Sequence, residues 1–119
     1  MSKPAYRLRF FFDYNCGGCL WSDNNAAYEK LGNGTLDAET FDLNGNVTQE
    51  ARIKLPYSIR QKTLELDKLY VQSLNWDDPA GKSLWDKIKW DSFYQMTRDL
   101  YMQICLTLGD EYEVVYKQR

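Results

Sequence analysis

Residues 6–21, YRLRFFFDYNCGGCLW, place a turn between two apolar segments. Along residues 6–12 apolar side chains largely alternate with arginines, which is typical of a β-strand with one face in a core. Asparagine and glycine dominate residues 15–18, and both tolerate the positive φ angles of a tight reversal. Residues 19–21 then continue as a short second strand. The stretch therefore predicts the first β-hairpin of a sheet.

The rest of the chain predicts three helices and a final strand. The expected helices cover residues 24–31, 58–74 and 84–108, and the strand covers residues 111–117. In the second and third helices apolar residues recur three and four positions apart, as on a buried helix face. Expected N-terminal caps are Ser22 or Asp23, Ser58 and Ser83, because their side chains can accept the first unpaired N–H groups. Gly32 and Gly109 suit the helix ends.

This order of elements predicts an α+β fold. We expect an antiparallel sheet, formed by the N-terminal hairpin and the C-terminal strand, to pack against about three helices. The last strand is expected beside the first. At 119 residues the chain fits a single domain, residues 1–119. Residues 33–55 are interpreted as a variable excursion that can form a small hairpin, since asparagine-glycine turns lie within it.

Composition and charge argue against several classes of partner. The net charge is −2 and the positive residues are dispersed, so no basic patch for nucleic acid is predicted. The N-terminal residues lack the apolar segment and cleavage site of a secretory signal. No apolar run approaches the roughly 20 residues that cross a bilayer. We therefore expect a cytoplasmic protein with neither nucleic acid nor a membrane as partner.

Cys16 and Cys19 have the CxxC spacing of redox dithiols and of half zinc sites. A thioredoxin-like dithiol lies where a strand enters a helix, whereas apolar Leu20 and Trp21 follow this motif as a strand would. A structural zinc site needs four Cys or His ligands, and the chain has three cysteines and no histidine. The pattern favours a structural turn and predicts no metal or other cofactor. A thiol redox protein or switch using Cys16 and Cys19 remains the alternative.

The chain also lacks the residues of common catalytic sites. Without histidine it has neither the usual general base nor the usual activator of a serine or cysteine nucleophile. No glycine-rich phosphate loop is present. The adjacent acids at residues 77–78 and 110–111 are more typical of solvated or capping groups than of a catalytic pair. The sequence thus predicts a protein that is not an enzyme.

Three Trp-Asp pairs fall within residues 76–91: Trp76-Asp77, Trp85-Asp86 and Trp90-Asp91. Aromatic anchors among carboxylates suit the recognition of a basic protein surface. The alternative is that the tryptophans hold a loop against the core while the aspartates cap helices or face solvent. The predicted partner-binding residues are Trp76, Asp77, Asp78, Trp85 and Asp86, with Asp110, Glu111 and Glu113 as a second acidic patch.

Three stretches carry a resemblance to known proteins: LRFFFDYNCGGCLWSDNNAA at residues 8–27, LPYSIRQKTLELDKLYVQSLNWDDPAGKSLW at residues 55–85, and LGDEYEVVY at residues 108–116. They resemble small bacterial proteins, mostly of unassigned activity, with FFD…CLW and WDDPAG…W motifs. Cys19 matches that pattern, whereas Cys16 falls where another residue is usual. By type, the chain also resembles immunity proteins of bacterial toxin systems, including contact-dependent growth inhibition.

The second resemblance implies a small, cytoplasmic, non-catalytic protein that binds one cognate toxin domain. We expect such a protein to neutralise the toxin by covering its active or substrate-binding surface, and we expect that surface to be basic. The CxxC redox protein is one alternative function. A regulatory or scaffold interaction module, with no toxin as partner, is another.

Overall fold

A computed structural model describes residues 4–14 and 16–118, so Asn15 of the predicted turn lies outside the described residues. The elements in chain order are strands β1 (Tyr6–Phe10) and β2 (Leu20–Ser22), helix α1 (Asn25–Leu31), strands β3 (Thr40–Phe41) and β4 (Val47–Gln49), helices α2 (Tyr57–Ser73) and α3 (Lys87–Leu108), a 3-10 turn (Gly109–Glu111) and strand β5 (Tyr112–Tyr116). The predicted α+β class is confirmed. Among the described residues, no helix is long and apolar enough to cross a membrane.

The main sheet has the order β2-β1-β5. As predicted, β1 and β2 are antiparallel, and β5 lies beside β1. The prediction that the whole sheet is antiparallel is wrong, because β5 runs parallel to β1, with Leu8 opposite Val114. All three helices lie between these two strands in the sequence, and a connection of this length allows parallel pairing. An alternating apolar pattern is the same in both directions, so it does not determine strand direction.

One face of the main sheet packs against α2 and α3. Leu8, Phe10 and Leu20 are fully buried on this face. They belong to one core with Phe93 and Leu100 of α3. Burying each such side chain stabilises the fold by about 2 kcal/mol. The core therefore fixes the orientation of α2 and α3, and with it the position of the loop between them.

The helix N-termini differ from the expected caps. Asn24, rather than Ser22 or Asp23, caps α1 by accepting a hydrogen bond from the Ala27 N–H (2.9 Å). The Ser22 hydroxyl instead donates to the Gly32 carbonyl (2.8 Å). The Asp23 carboxylate does not cap α1 as predicted but forms ion pairs with two arginines of β1.

The starts of α2 and α3 also differ from the predicted ones. Helix α2 begins after Pro56 without a side-chain cap, so the Ser58 cap is wrong. Helix α3 begins three residues later than expected, with Asp86 as its cap, accepting from the Lys89 N–H (2.8 Å). The Ser83 hydroxyl donates to the Ser73 carbonyl at the end of α2 and accepts from the Trp85 N–H (3.2 Å), so it orders the loop ahead of α3 instead of capping the helix.

A second, two-stranded sheet lies within residues 33–55, where β3 and β4 pair antiparallel. Backbone hydrogen bonds tie the base of this segment to the core. The Leu36 N–H donates to the Leu20 carbonyl (2.8 Å), and the Leu36 carbonyl accepts from the N–H of Ile53 (2.9 Å). Beyond this base, every residue from 39 to 50 is exposed. The hairpin therefore projects from the body of the protein.

Candidate functional site

The loop between α2 and α3 carries most of the predicted partner-binding residues, and hydrogen bonds fix its shape. The Ser73 carbonyl accepts hydrogen bonds from the Ser83 hydroxyl (2.5 Å) and from the Leu84 N–H (3.1 Å). Within the loop, the Asn75 side-chain oxygen accepts from the N–H groups of Asp77 (3.1 Å) and Asp78 (3.3 Å). Such Asx turns stabilise a loop locally. The loop is therefore preorganised by its own polar groups.

Trp76 is the tryptophan of this loop with the most exposed side chain. Its indole N–H donates to the Val71 carbonyl (3.0 Å), and its ring contacts Tyr14 edge-on, with 5.9 Å between ring centroids. The residue is nevertheless 54% exposed. Trp76 thus presents a large aromatic surface in a fixed orientation, which is the property of an interface anchor.

Trp85 and Trp90 are half-buried in an aromatic cluster. The Trp85 ring lies 4.8 Å from that of Trp90 and 5.3 Å from that of buried Phe93. Trp90 in turn stacks on Tyr94 at 5.5 Å. For these two tryptophans the geometry matches packing of the loop onto the core. Both rings therefore help to hold the neighbouring loop in place.

The aspartates of the Trp-Asp pairs and the adjacent Asp78 lie in different environments. Asp77 and Asp78 are exposed in the loop. Asp86 is also exposed, but its carboxylate caps α3. Asp91 forms an ion pair with Lys87 one helical turn away (2.8 Å). Asp77 and Asp78, next to Trp76, thus lie exposed in the loop, whereas Asp86 and Asp91 are engaged in a helix cap and an ion pair.

The second predicted patch, Asp110, Glu111 and Glu113, lies beyond the other end of α3. All three residues are exposed. Glu111 pairs with Lys30 of α1 (3.3 Å), and this contact raises the pKa of Lys30. Helix α3 has 22 residues and so separates the patch from the loop by about 33 Å, at 1.5 Å per residue. The structure does not bring the two predicted groups together.

The two cysteines of the CxxC motif lie at a turn organised by a buried carboxylate. Asp37, fully buried, accepts hydrogen bonds from the N–H groups of Cys19 (3.0 Å) and Leu20 (3.1 Å) and from the Cys19 thiol (3.6 Å). Arg60 of α2 pairs with Asp37 (3.5 Å) and donates to the Gly17 carbonyl (3.2 Å). Asp37 and Arg60 therefore link the first hairpin, the segment before β3 and α2.

The surroundings of both thiols oppose thiolate formation. Burial raises the pKa of Cys19 well above its ordinary value, and the Asp37 carboxylate raises it further. Burial also raises the pKa of Cys16, with smaller contributions from Asp13 and Asp67. Both cysteines are free thiols. Reactive CxxC dithiols have a lowered pKa, usually at a helix N-terminus, whereas the pKa of each of these two thiols is raised.

Asp37 was not among the sequence-predicted residues. It lies in the segment interpreted as an excursion, and its burial depends on contacts with residues 18 and 23 positions away. The alternation of apolar Leu36 and Ala38 around it was the only local signal. Burial raises the pKa of Asp37, while the Leu20 N–H and Arg60 oppose that effect.

Within residues 4–14 and 16–118, no group of three or more His, Cys, Asp or Glu side chains is arranged to hold a metal ion.

Comparison with known protein families identifies the family of the chain. No curated protein sequence matches the chain. A family model described as Serratia CdiI immunity protein-like matches residues 6–119, which include every strand and helix of the fold. The chain therefore belongs to the Serratia CdiI immunity protein-like family.

Proposed function

We propose that this protein is a cytoplasmic immunity protein that binds a cognate toxin domain and neutralises it without catalysis. Family membership supports the class of function. Binding would cover the active or substrate-binding surface of the toxin domain. Inhibition by coverage needs only a stable, complementary interface, and the aromatic and acidic surface between α2 and α3 offers one.

The observation that carries this proposal is the exposed Trp76 on a preorganised loop, beside Asp77 and Asp78. An aromatic side chain held in one orientation loses little conformational entropy on binding. Leu84, at the end of the loop, and Ile88, in the first turn of α3, are also exposed apolar residues. The two carboxylates would steer a basic toxin surface toward this loop.

Different members of the predicted set would have different roles. Trp76, Asp77 and Asp78 would contact the toxin domain. Trp85 would position the loop through the aromatic cluster, and Asp86 would do so by capping α3. The second acidic patch would act only on a toxin domain large enough to reach beyond the far end of α3.

The test uses the toxin domain encoded by the gene next to that of this protein, since immunity and toxin genes are expected side by side. Cells expressing the toxin domain should survive only when this protein is co-expressed. The purified proteins should form a one-to-one complex, measured by isothermal titration calorimetry. A co-expressed immunity protein from an unrelated toxin system serves as the control. Absence of both protection and binding would show that the proposed function is wrong.

A further inference from the structure

The β3-β4 hairpin displays apolar side chains that contribute nothing to the core. Phe41 is 60% exposed, Val47 is 46% exposed and Leu43, in the turn, is fully exposed. They lie within residues 39–50, all of which are exposed. Phe41 and Val47 are partners across the two strands, and adjacent exposed apolar side chains mark interaction sites in folded proteins. Packing in the core therefore does not explain why these hairpin positions are apolar.

Polar groups alone build the hairpin turn. The Asp42 carboxylate accepts hydrogen bonds from the N–H groups of Asn44 (2.9 Å) and Asn46 (2.9 Å), which lowers the pKa of Asp42. Gly45 supplies the positive φ of +83° that the reversal requires. The Thr40 and Thr48 hydroxyls hydrogen-bond across the two strands (2.9 Å). The hairpin is thus formed before any partner binds.

All the charged residues of the segment that carries the hairpin, residues 33–51, are acidic. Residues 33–51 contain four acids, Asp37, Glu39, Asp42 and Glu50, and neither lysine nor arginine. Asp37 points into the protein, and the other three are exposed on the hairpin and its base. Glu50 pairs with Lys54 at that base (3.2 Å). A partner for this surface must offer an apolar groove surrounded by cationic groups.

We propose that the β3-β4 hairpin is a second docking element, which places Phe41, Leu43 and Val47 in an apolar, basic-rimmed groove of the toxin domain. This inference depends on the proposed function. The preformed turn keeps the entropic cost of docking low. A second copy of this chain is a poor occupant, because two hairpins would bring their Glu39, Asp42 and Glu50 carboxylates together.

The hairpin and the Trp76 loop are at opposite ends of α2. Arg60, in the first turn of α2, contacts Asp37 at the hairpin base, while Trp76 follows the last turn. Helix α2 has 17 residues and so separates them by about 25 Å, at 1.5 Å per residue. Binding at the hairpin can therefore be tested without altering the Trp76 loop.

The test is the triple variant Phe41→Ser, Leu43→Ser, Val47→Thr, measured against the neighbouring-gene toxin domain by biolayer interferometry. We expect at least a thirtyfold loss of affinity, chiefly as faster dissociation. The control is Met102→Ser with Leu106→Ser, which removes comparably exposed apolar groups from α3 and should leave affinity within about twofold. Both variants should keep the wild-type thermal midpoint and circular dichroism, since the altered side chains are exposed.

Hydrogen–deuterium exchange of the wild-type complex gives a second readout, with slower exchange expected in residues 40–49. Suppose that the wild-type protein binds and protects, that the triple variant binds within threefold of it, and that exchange in residues 40–49 does not change on binding. The hairpin proposal is then overturned, and the proposed function stands. If the wild type neither binds nor protects, the proposed function itself fails. Concentration-dependent self-association of the wild type that the triple variant abolishes would also overturn the proposal.

Discussion

Asp37 satisfies several buried groups at once, so its removal should be costly. Replacing it in Asp37→Ala leaves the N–H groups of Cys19 and Leu20 without an acceptor and Arg60 without its ion pair. An unsatisfied buried donor costs about 1–3 kcal/mol. We expect the variant to lose about 3 kcal/mol of unfolding free energy, measured by urea denaturation. The exposed neighbour Glu39→Ala should change it by less than about 0.5 kcal/mol. Equal stabilities for the two variants would contradict this role of Asp37.

The two thiols of the CxxC motif should react slowly at neutral pH. A raised pKa means a smaller thiolate fraction at every pH below it, so Cys16 should alkylate more slowly than a free cysteine at pH 7. Its rate should still be rising above pH 9.0, the ordinary thiol value. Cys19 should be labelled only after unfolding, because it is fully buried. Iodoacetamide labelling followed by mass spectrometry measures both. Rapid alkylation of Cys16 that levels off below pH 7 would instead favour the redox alternative.

At the scale of elements, the loop between α2 and α3 should act on association through its charge. In the double variant Asp77→Lys, Asp78→Lys the loop would repel a basic toxin surface instead of attracting it. The backbone N–H groups of both residues still donate to Asn75, so the loop keeps these hydrogen bonds. We expect the association rate with the toxin domain to fall about tenfold at low salt, and less at high salt. Stopped-flow fluorescence at several ionic strengths gives these rates.

A charge-matched control separates the loop from the net charge of the protein. Glu29→Lys with Glu65→Lys makes the same change in net charge at exposed positions of α1 and α2. Its association rate should stay within about twofold of the wild type. Equal slowing in both double variants would show that overall charge, rather than the loop, governs association.

Local patterns determine some of these elements and leave others open. The first hairpin and the two long helices follow from alternation and helical spacing, which report burial directly. The start of α3 differs from the predicted one, since the Ser83 hydroxyl belongs to a loop held by the Ser73 carbonyl and Asp86 accepts from the Lys89 N–H as the cap. The burial of Asp37 likewise arises from Arg60 and the first hairpin. Contacts of this kind have no local signal.

For the whole molecule, local sequence patterns likewise do not determine the direction of a strand or the distance between two surface groups. The alternation of Tyr112, Val114 and Tyr116 predicts a strand but fits parallel and antiparallel pairing equally, so the orientation of β5 depends on how α3 packs. The loop aspartates could be proposed from the recurring Trp-Asp pairs of the sequence. The separation of that loop from the second acidic patch by the length of α3 needed the three-dimensional fold.

The placement of two proposed docking elements at opposite ends of α2 predicts independent contributions to toxin binding. Residues this far apart, without shared partners, usually contribute additively to binding free energy. Combining Trp76→Ala with the hairpin triple variant should therefore multiply the two separate losses of affinity, to within about twofold. Calorimetric dissociation constants for wild type, each variant and the combination complete the cycle. The combined loss of affinity could instead be far smaller than the product of the two separate losses. The two elements would then act as one coupled surface, and independent contacts at the two ends of α2 would no longer explain the interface.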